Sequence, residues 1–355
     1  MDIASMTLSE LTEYIKTQGY PAFRAKQLFD WMHRKIVLNT DEMLNLPKDM
    51  RAALGKDILP VTEETKLVSK KDGTIKYLLR MHDGQMIETV FMRYKHGNSV
   101  CISSQAGCRM GCRFCASTIG GLIRNLEPSE MLAQVYHAVR STGERVSNIV
   151  VMGTGEPLDN YDNLIRFIDL ITNEEGYNIS ERNITVSSCG IVPNIRRLAD
   201  EQRNFTFALS LHATTDEERK ALMPVAERFS IRETLEACSY YFEKTGRRLT
   251  FEYSLVSGVN DSEEHAKRLA ALIRGLNAHV NLIPVNPVEE RNYKASDASR
   301  VDKFKNTLEK YRINVTIRRG MGSDIDAACG QLRRKYSSTA APDKMTEDQL
   351  YQTDN

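Results

Sequence analysis

Asn98-Ser-Val-Cys-Ile-Ser-Ser-Gln-Ala-Gly-Cys108-Arg-Met-Gly-Cys112-Arg-Phe-Cys115 sets a short apolar run directly against a loop crowded with cysteines. The run at 98–104 is the first of a series. Strand-like segments follow at 147–152, 183–187, 205–210, 249–255, 279–284 and 313–317, and amphipathic helical patterns lie between them, as at 128–142, 160–173, 262–275 and 297–311. Repeated βα units predict an α/β fold built on a parallel sheet. Six or seven such units favour a full or partial (β/α) barrel over a doubly wound sheet, although spacing alone does not decide. Either architecture puts chemistry at the C-terminal ends of the strands, where the cysteine loop falls.

Upstream the pattern changes. Residues 1–60 read as a small helical accessory domain: Thr7 and Glu10 fit a capping box. A second helix over Phe23 to Lys35 puts Ala25, Leu28, Trp31 and Met32 on one face. Residues 61–97 read as an antiparallel β extension, with Asp72-Gly73 and Asp83-Gly84 turning between runs at 66–68, 75–79 and 86–92. The barrel core then spans 98–336, and residues 337–355 form a polar Ser/Thr/Asp-rich tail expected to be disordered.

Composition agrees with a globular enzyme: 355 residues, 41% hydrophobic and 27% charged, with a net charge of +1. No apolar stretch reaches the length of a membrane span and no signal pattern opens the chain, so the expected location is the cytoplasm, away from membranes. Basic pairs at Arg34-Lys35, Lys70-Lys71, Arg247-Arg248, Arg318-Arg319 and Arg333-Arg334 are compatible with nucleic acid, but also with ordinary solvated faces. Seven cysteines, three of them within eight residues, do not form a disulfide framework; their crowding points to ligation.

Cys108, Cys112 and Cys115 can hold three irons of a 4Fe–4S cubane and leave the fourth iron open. An open iron can chelate the amino and carboxylate groups of S-adenosylmethionine (SAM), whose reductive cleavage gives a 5′-deoxyadenosyl radical. The alternative is a zinc site completed by His96 or Cys101, although zinc sites usually show two close pairs of ligands. Gly153-Thr-Gly155-Glu156-Pro157 follows the second barrel strand; alone it is compatible with a plain βα turn. Ser187, Ser210-Leu211-His212 and Asn286 also stand at strand ends, and together these positions outline a cofactor pocket.

Three further segments, Cys101-Ile-Ser-Ser-Gln-Ala-Gly-Cys108, Arg247-Arg248-Leu-Thr-Phe-Glu-Tyr253 and Gly322-Ser-Asp-Ile-Asp-Ala-Ala-Cys329-Gly-Gln-Leu332, complete a resemblance. With the cysteine loop and the glycine loop, they make the chain resemble the RlmN/Cfr family of radical SAM RNA methyltransferases over nearly its whole length. The resemblance implies a radical SAM partial (β/α)6-type barrel and a 4Fe–4S cluster on Cys108, Cys112 and Cys115. It also implies two SAM molecules per turnover, bound through Gly155, Glu156, Ser187, Ser210, Leu211, His212 and Asn286. The implied substrates are an adenosine of the peptidyl-transferase region of 23S rRNA and the adenosine next to the anticodon in some tRNAs, methylated at C2. A Cfr-like methylation at adenine C8 is the alternative.

The family's chemistry implies roles for three more residues. Cys329 takes a methyl group from the first SAM, and the radical from the second removes a hydrogen from that methyl. The resulting carbon adds to adenine C2, Glu88 accepts the C2 proton, and Cys101 attacks the Cys329 sulfur to free the RNA. A Cys101–Cys329 disulfide remains, which a reductase must reopen. Departures from the family pattern are small: Cys189 stands where relatives often carry Ser and Thr154 where many carry Met, while Cys238, on a helical stretch, reads as a core residue. Arg24, Arg34, Arg318 and Arg319 are candidate phosphate contacts.

Overall fold

The computed structural model describes residues 2–286, 291–325 and Leu332; Cys329 and the polar tail lie outside them. Three helices open the chain: α1 (Leu8–Thr17), α2 (Phe23–Phe29), which continues through a π-type turn at Asp30–Arg34, and α3 (Lys48–Leu54). The Thr7/Glu10 capping box forms as the sequence predicts, and Glu10 also meets Arg166 at 2.7 Å. Leu11, Ile15, Ala25, Leu28 and Met32 are buried in the same core cluster as Phe167 and Ile168. The accessory helices therefore extend the barrel's core instead of enclosing one of their own.

Strands β1 (Thr62–Val68), β2 (Ile75–Arg80), β3 (Met86–Tyr94) and β4 (Gly97–Ile102) pair antiparallel. Two short strands, β5 (Gln105–Gly107) and β6 (Leu122–Asn125), pair only with each other. Then α4 (Pro128–Thr142), β7 (Val146–Val151), α5 (Tyr161–Thr172), β8 (Ile184–Ser188), α6 (Val192–Asp200) and β9 (Thr206–Ser210) follow. The chain continues through α7 (Asp216–Leu222), α8 (Ile231–Thr245), β10 (Leu249–Leu255), α9 (Glu263–Leu272), β11 (Ala278–Pro284), α10 (Ala298–Lys310) and β12 (Asn314–Ile317). One sheet joins ten strands in the order β1-β2-β3-β4-β7-β8-β9-β10-β11-β12, parallel from β4 onward. The parallel strands run in simple succession, with no reversal of order such as a doubly wound sheet requires. The partial barrel is thus the observed architecture.

The register separates two faces. Phe91, Val100, Ile149 and Ile184 lie in one row; Leu209, Phe251, Val280 and Val315 lie in another on the same outer face. That face meets the helices, as in the ring contacts of Tyr77 with His137 on α4, Phe207 with Tyr241 on α8 and Tyr253 with Phe304 on α10. The inner face carries Lys76, Val90, Cys101, Val150 and Thr185 in one row, and Ser210, Glu252, Asn281 and Thr316 in another. Thr185, Ser187, Ser210, His279 and Asn281 on it are only partly buried. The face toward the helices is apolar, while the inner face mixes Val90, Cys101 and Val150 with polar residues, several of them partly exposed.

Candidate active site

The cysteine loop is an excursion pinned at its base. Pairing of β5 with β6 closes it, and the Cys108 N–H donates to Gly121 O at 2.9 Å. Thr118 Oγ1 donates to the main-chain oxygens of Cys112 (3.1 Å) and Cys115 (3.0 Å). Cys108 and Cys112 are buried and Cys115 is partly exposed. Burial, with some help from Glu156 and neighbouring thiols, pushes the Cys108 thiol up to about 12 and the Cys112 thiol well above its ordinary range. Thiols in such surroundings ionise when a cationic centre offsets the charge. Cys108, Cys112 and Cys115 stand on one pinned loop and supply one thiolate for each of three irons, so the donor set fits a cubane.

The glycine loop is zipped against the end of β4. Thr154 O accepts from the N–H groups of Ser104 (2.9 Å) and Gln105 (3.1 Å), and Gln105 Oε1 accepts from the Glu156 N–H at 2.8 Å. Gly155 has φ +116°, and a Cβ there would lie 2.6 Å from Ser104 Oγ. Only glycine fits this close approach. The buried Glu156 carboxylate accepts from the N–H groups of Leu158 (3.0 Å) and Cys189 (2.7 Å). Burial raises its pKa against the opposing pull of those bonds. Its side chain clamps the loop after β8 to the loop after β7.

Ser187 and Ser210 meet at 3.2 Å between their Oγ atoms, across neighbouring strands of the inner face. Beyond them the Leu211 N–H donates to Glu252 O at 3.1 Å. His212, at φ +58°, accepts from the Ser254 N–H through Nδ1 at 2.9 Å, which puts the proton of the neutral ring on Nε2. Burial, reinforced by nearby Arg219, lowers the His212 pKa to about 3. The Phe114 ring, inside the cysteine loop, meets His212 edge-on with centroids 5.0 Å apart. This contact joins the cysteine loop to the end of β9. Asn286 is exposed just beyond the C-terminal end of β11, on the same rim.

Glu88 and Cys101 share the inner face. Cys101 is in register with Val90, two residues along β3 from Glu88. Both are buried, and Val90, Met92 and Cys101 form a small apolar cluster with Tyr94, Val150, Met152 and Met321 around it. Met321 belongs to the segment after β12, which crosses back to the β1–β2 hairpin: the Gly322 N–H donates to Asp72 Oδ2 (2.9 Å) and Ser69 Oγ to Asp324 Oδ1 (2.6 Å). Cys329 lies outside the described residues. Cys238 is fully buried on α8, as expected for a core residue.

Sequence reasoning missed three inner residues. Lys76 pairs with Glu88 at 3.0 Å. Glu252 is buried and accepts from Asn281 Nδ2 at 2.9 Å, with its pKa raised by burial against the pull of Arg318. Arg219 is fully buried and donates to the main-chain oxygens of Cys189 (2.6 Å) and Leu211 (3.3 Å), tying two strand ends together. Lys76 and Glu252 are charged residues in otherwise apolar runs, a signal that marks them as unusual without naming their partners, whereas Arg219 stands in the charged run Asp216-Glu-Glu-Arg219-Lys220, which gives no such signal.

Comparison with known proteins agrees with this geometry. The Radical SAM superfamily profile matches residues 102–270, and a ribosomal RNA large subunit methyltransferase N-terminal domain matches residues 1–59. The chain is 59% identical to a probable dual-specificity RNA methyltransferase RlmN of Lachnoclostridium phytofermentans, over 95% of each chain. It belongs to the RlmN family. The RlmN protein of Lachnospira eligens is 58% identical over 94% of this chain and 96% of its own. A solved radical SAM methyltransferase from Sphaerobacter thermophilus superposes with a TM-score of 0.90 at 44% identity, over 93% of this chain and 98% of that one. As an RlmN-family member the protein is a SAM-dependent RNA methyltransferase whose cofactors are a 4Fe–4S cluster and SAM. Among the described helices none is long and apolar enough to cross a membrane.

Proposed function

We propose that the protein methylates C2 of adenosine in 23S rRNA, in the peptidyl-transferase region, and in some tRNAs next to the anticodon. The dual-specificity name of its relatives supports two RNA substrates. One observation carries the assignment of roles: Glu88, Cys101, Ser187 and Ser210 all project onto the inner face of one sheet, with the cysteine loop at its rim. Cys108, Cys112 and Cys115 hold the cluster, and Gly155, Glu156, Ser187, Ser210, Leu211, His212 and Asn286 form the SAM site. Bound together, cluster and SAM supply a methyl group and a carbon-centred radical.

The chain's own residues do the rest. Cys329 accepts the methyl group on sulfur and presents it to the base. Glu88 accepts the proton that leaves C2. Cys101 attacks the Cys329 sulfur, and the disulfide so formed releases the RNA and awaits reduction by a cytoplasmic reductase. A target base must leave its stack to reach this inner face, and Arg24, Arg34, Arg318 and Arg319 contact phosphates around it.

Cys329→Ala tests the central role. The variant is expected to cleave SAM reductively but to yield no methylated RNA; normal methylation by it overturns the scheme. Mass spectrometry of digested RNA against C2- and C8-methyladenosine standards decides the position, and C8 product would move the protein to the Cfr-type reaction.

A further inference from the structure

Lys76 stands on β2 with its side chain fully buried, and its Nζ lies 3.0 Å from Oε2 of Glu88, whose side chain is 3% exposed. Strand register fixes what this pair faces. Lys76 is opposite Val90 on β3, and Val90 is opposite Cys101 on β4, so Lys76 and Cys101 flank one valine on the inner face. Glu88 precedes Val90 by one turn of the pleat on that face, opposite Leu78. Leu78 and Val90 stand beside the pair, and Tyr77, Leu79 and Phe91 lie on the other face with Thr89, whose hydroxyl is taken up by Gln134.

Such a pair is hard to explain by stability. Withdrawing an ammonium and a carboxylate from water costs about as much as their attraction returns, and apolar residues of similar volume often serve the fold as well or better. What the pair does provide is a carboxylate whose direction is fixed and whose charge is balanced without water. Those are the needs of a proton acceptor inside a dry site.

We propose that Lys76 is a positioning residue for proton removal: it anchors the Glu88 carboxylate so that an oxygen meets the base proton. The inference rests on Glu88 as proton acceptor. In that step the C2–H bond breaks, its electron pair stays in the ring tethered to the protein, and the proton ends on a Glu88 oxygen. Lys76 acts through the Glu88 carboxylate that it holds.

The test uses the reconstituted holoenzyme with Lys76→Met, Lys76→Gln, Lys76→Arg and Glu88→Gln. Methylation kcat, KM for RNA, reductive SAM cleavage and RNA-linked protein on denaturing gels are measured for each. Lys76→Met is expected to lower kcat about 100-fold, with KM for RNA and SAM cleavage retained and RNA-linked protein accumulating. Lys76→Arg, which keeps the charge, is expected to recover much of the rate. Lys76→Gln keeps a donor and leaves the test open should Lys76→Met fail to fold; it is expected to fall between the other two. A folded Lys76→Met or Lys76→Gln enzyme with wild-type kcat, beside an inactive Glu88→Gln, overturns the role of Lys76 and leaves Glu88 in place. A fully active Glu88→Gln instead removes the underlying assignment and this inference with it.

Discussion

Replacing Gly155 by alanine probes a tightly constrained point of the proposed SAM site. At φ +116° a side chain is strained whatever the space around it, at a cost of about 1–3 kcal/mol. The space is also missing, because the new Cβ would sit 2.6 Å from Ser104 Oγ and 2.8 Å from both Cβ and N of Gln105. Relief requires the loop to leave the end of β4, and the bonds from Ser104 and Gln105 to Thr154 O, at 2.9 and 3.1 Å, go with it. Each is worth about 0.5–1.5 kcal/mol. The total is about 2–6 kcal/mol, and it falls on the loop that carries Gly155 and Glu156 of the proposed SAM site. At about 1.4 kcal/mol per tenfold, SAM binding weakens at least about 30-fold. Anaerobic calorimetry on reconstituted protein of matched iron content reads this directly. Gly143→Ala is the control: it ends α4 at φ +69° with no atom within 4 Å of its Cβ, so it carries strain without a clash near the site. A Gly155→Ala protein that binds SAM with wild-type affinity refutes the close-approach account.

Three other outcomes are expected. Burial lowers the pKa values of His33 and His212 to about 3, so both are neutral in the folded state and gain protons on unfolding. Their contribution is complete above pH 6.5 and is lost as pH falls toward 3, by up to about 1.4 kcal/mol per pH unit for each; urea midpoints that do not fall between pH 7 and 5 contradict it. Asp324→Ala removes acceptors for Ser69 Oγ and the Lys70 N–H, and it should speed tryptic cleavage at Arg318-Arg319 about tenfold; an unchanged rate means that these bonds do not dock the segment. Arg219→Met deprives the main-chain oxygens of Cys189 and Leu211 of their donor and, with partial relief from no longer burying a charge, should cost about 2 kcal/mol. A melting temperature equal to wild type by calorimetry counts against that clamp.

The elements that strong local patterns mark were legible in the sequence. Strand β10 occupies 249–255 and helix α4 128–142, as the spacing predicts, because alternation in one and the 3.6-residue period in the other are decided by adjacent residues. The start of β1 was not legible: Thr62-Glu-Glu-Thr is mostly exposed at a sheet edge and has no apolar face to betray a strand. Nor were β5 and β6, which are too short to display a period and are held by pairing with each other. Of the site, the strand-end residues could be placed from βα spacing. The contacts that define their chemistry could not: Lys76 with Glu88, Ser187 with Ser210, and Glu156 with the Cys189 N–H join segments distant in sequence.

One signal in the sequence does anticipate the inner face. Parallel strands covered on both faces read as continuous apolar runs, yet β8 reads Ile184-Thr-Val-Ser-Ser and β11 reads Ala278-His-Val-Asn-Leu-Ile-Pro, alternating apolar with polar. A parallel strand alternates in this way when helices cover one face and the other is kept for something polar. In β8 the apolar set, Ile184 and Val186, is fully buried against the helices, while Thr185 and Ser187 stay half-buried on the inner face. The same alternation in β9 brings Ser210 beside Ser187, and in β10 it turns Glu252 inward while Phe251 and Tyr253 face the helical layer. Such polar positions would leave buried groups unpaired if the barrel closed on itself and filled with side chains. The fold tolerates them because the inner face is left partly exposed at Thr185, Ser187, Ser210 and Asn281, the face to which SAM and RNA are assigned in the proposed function.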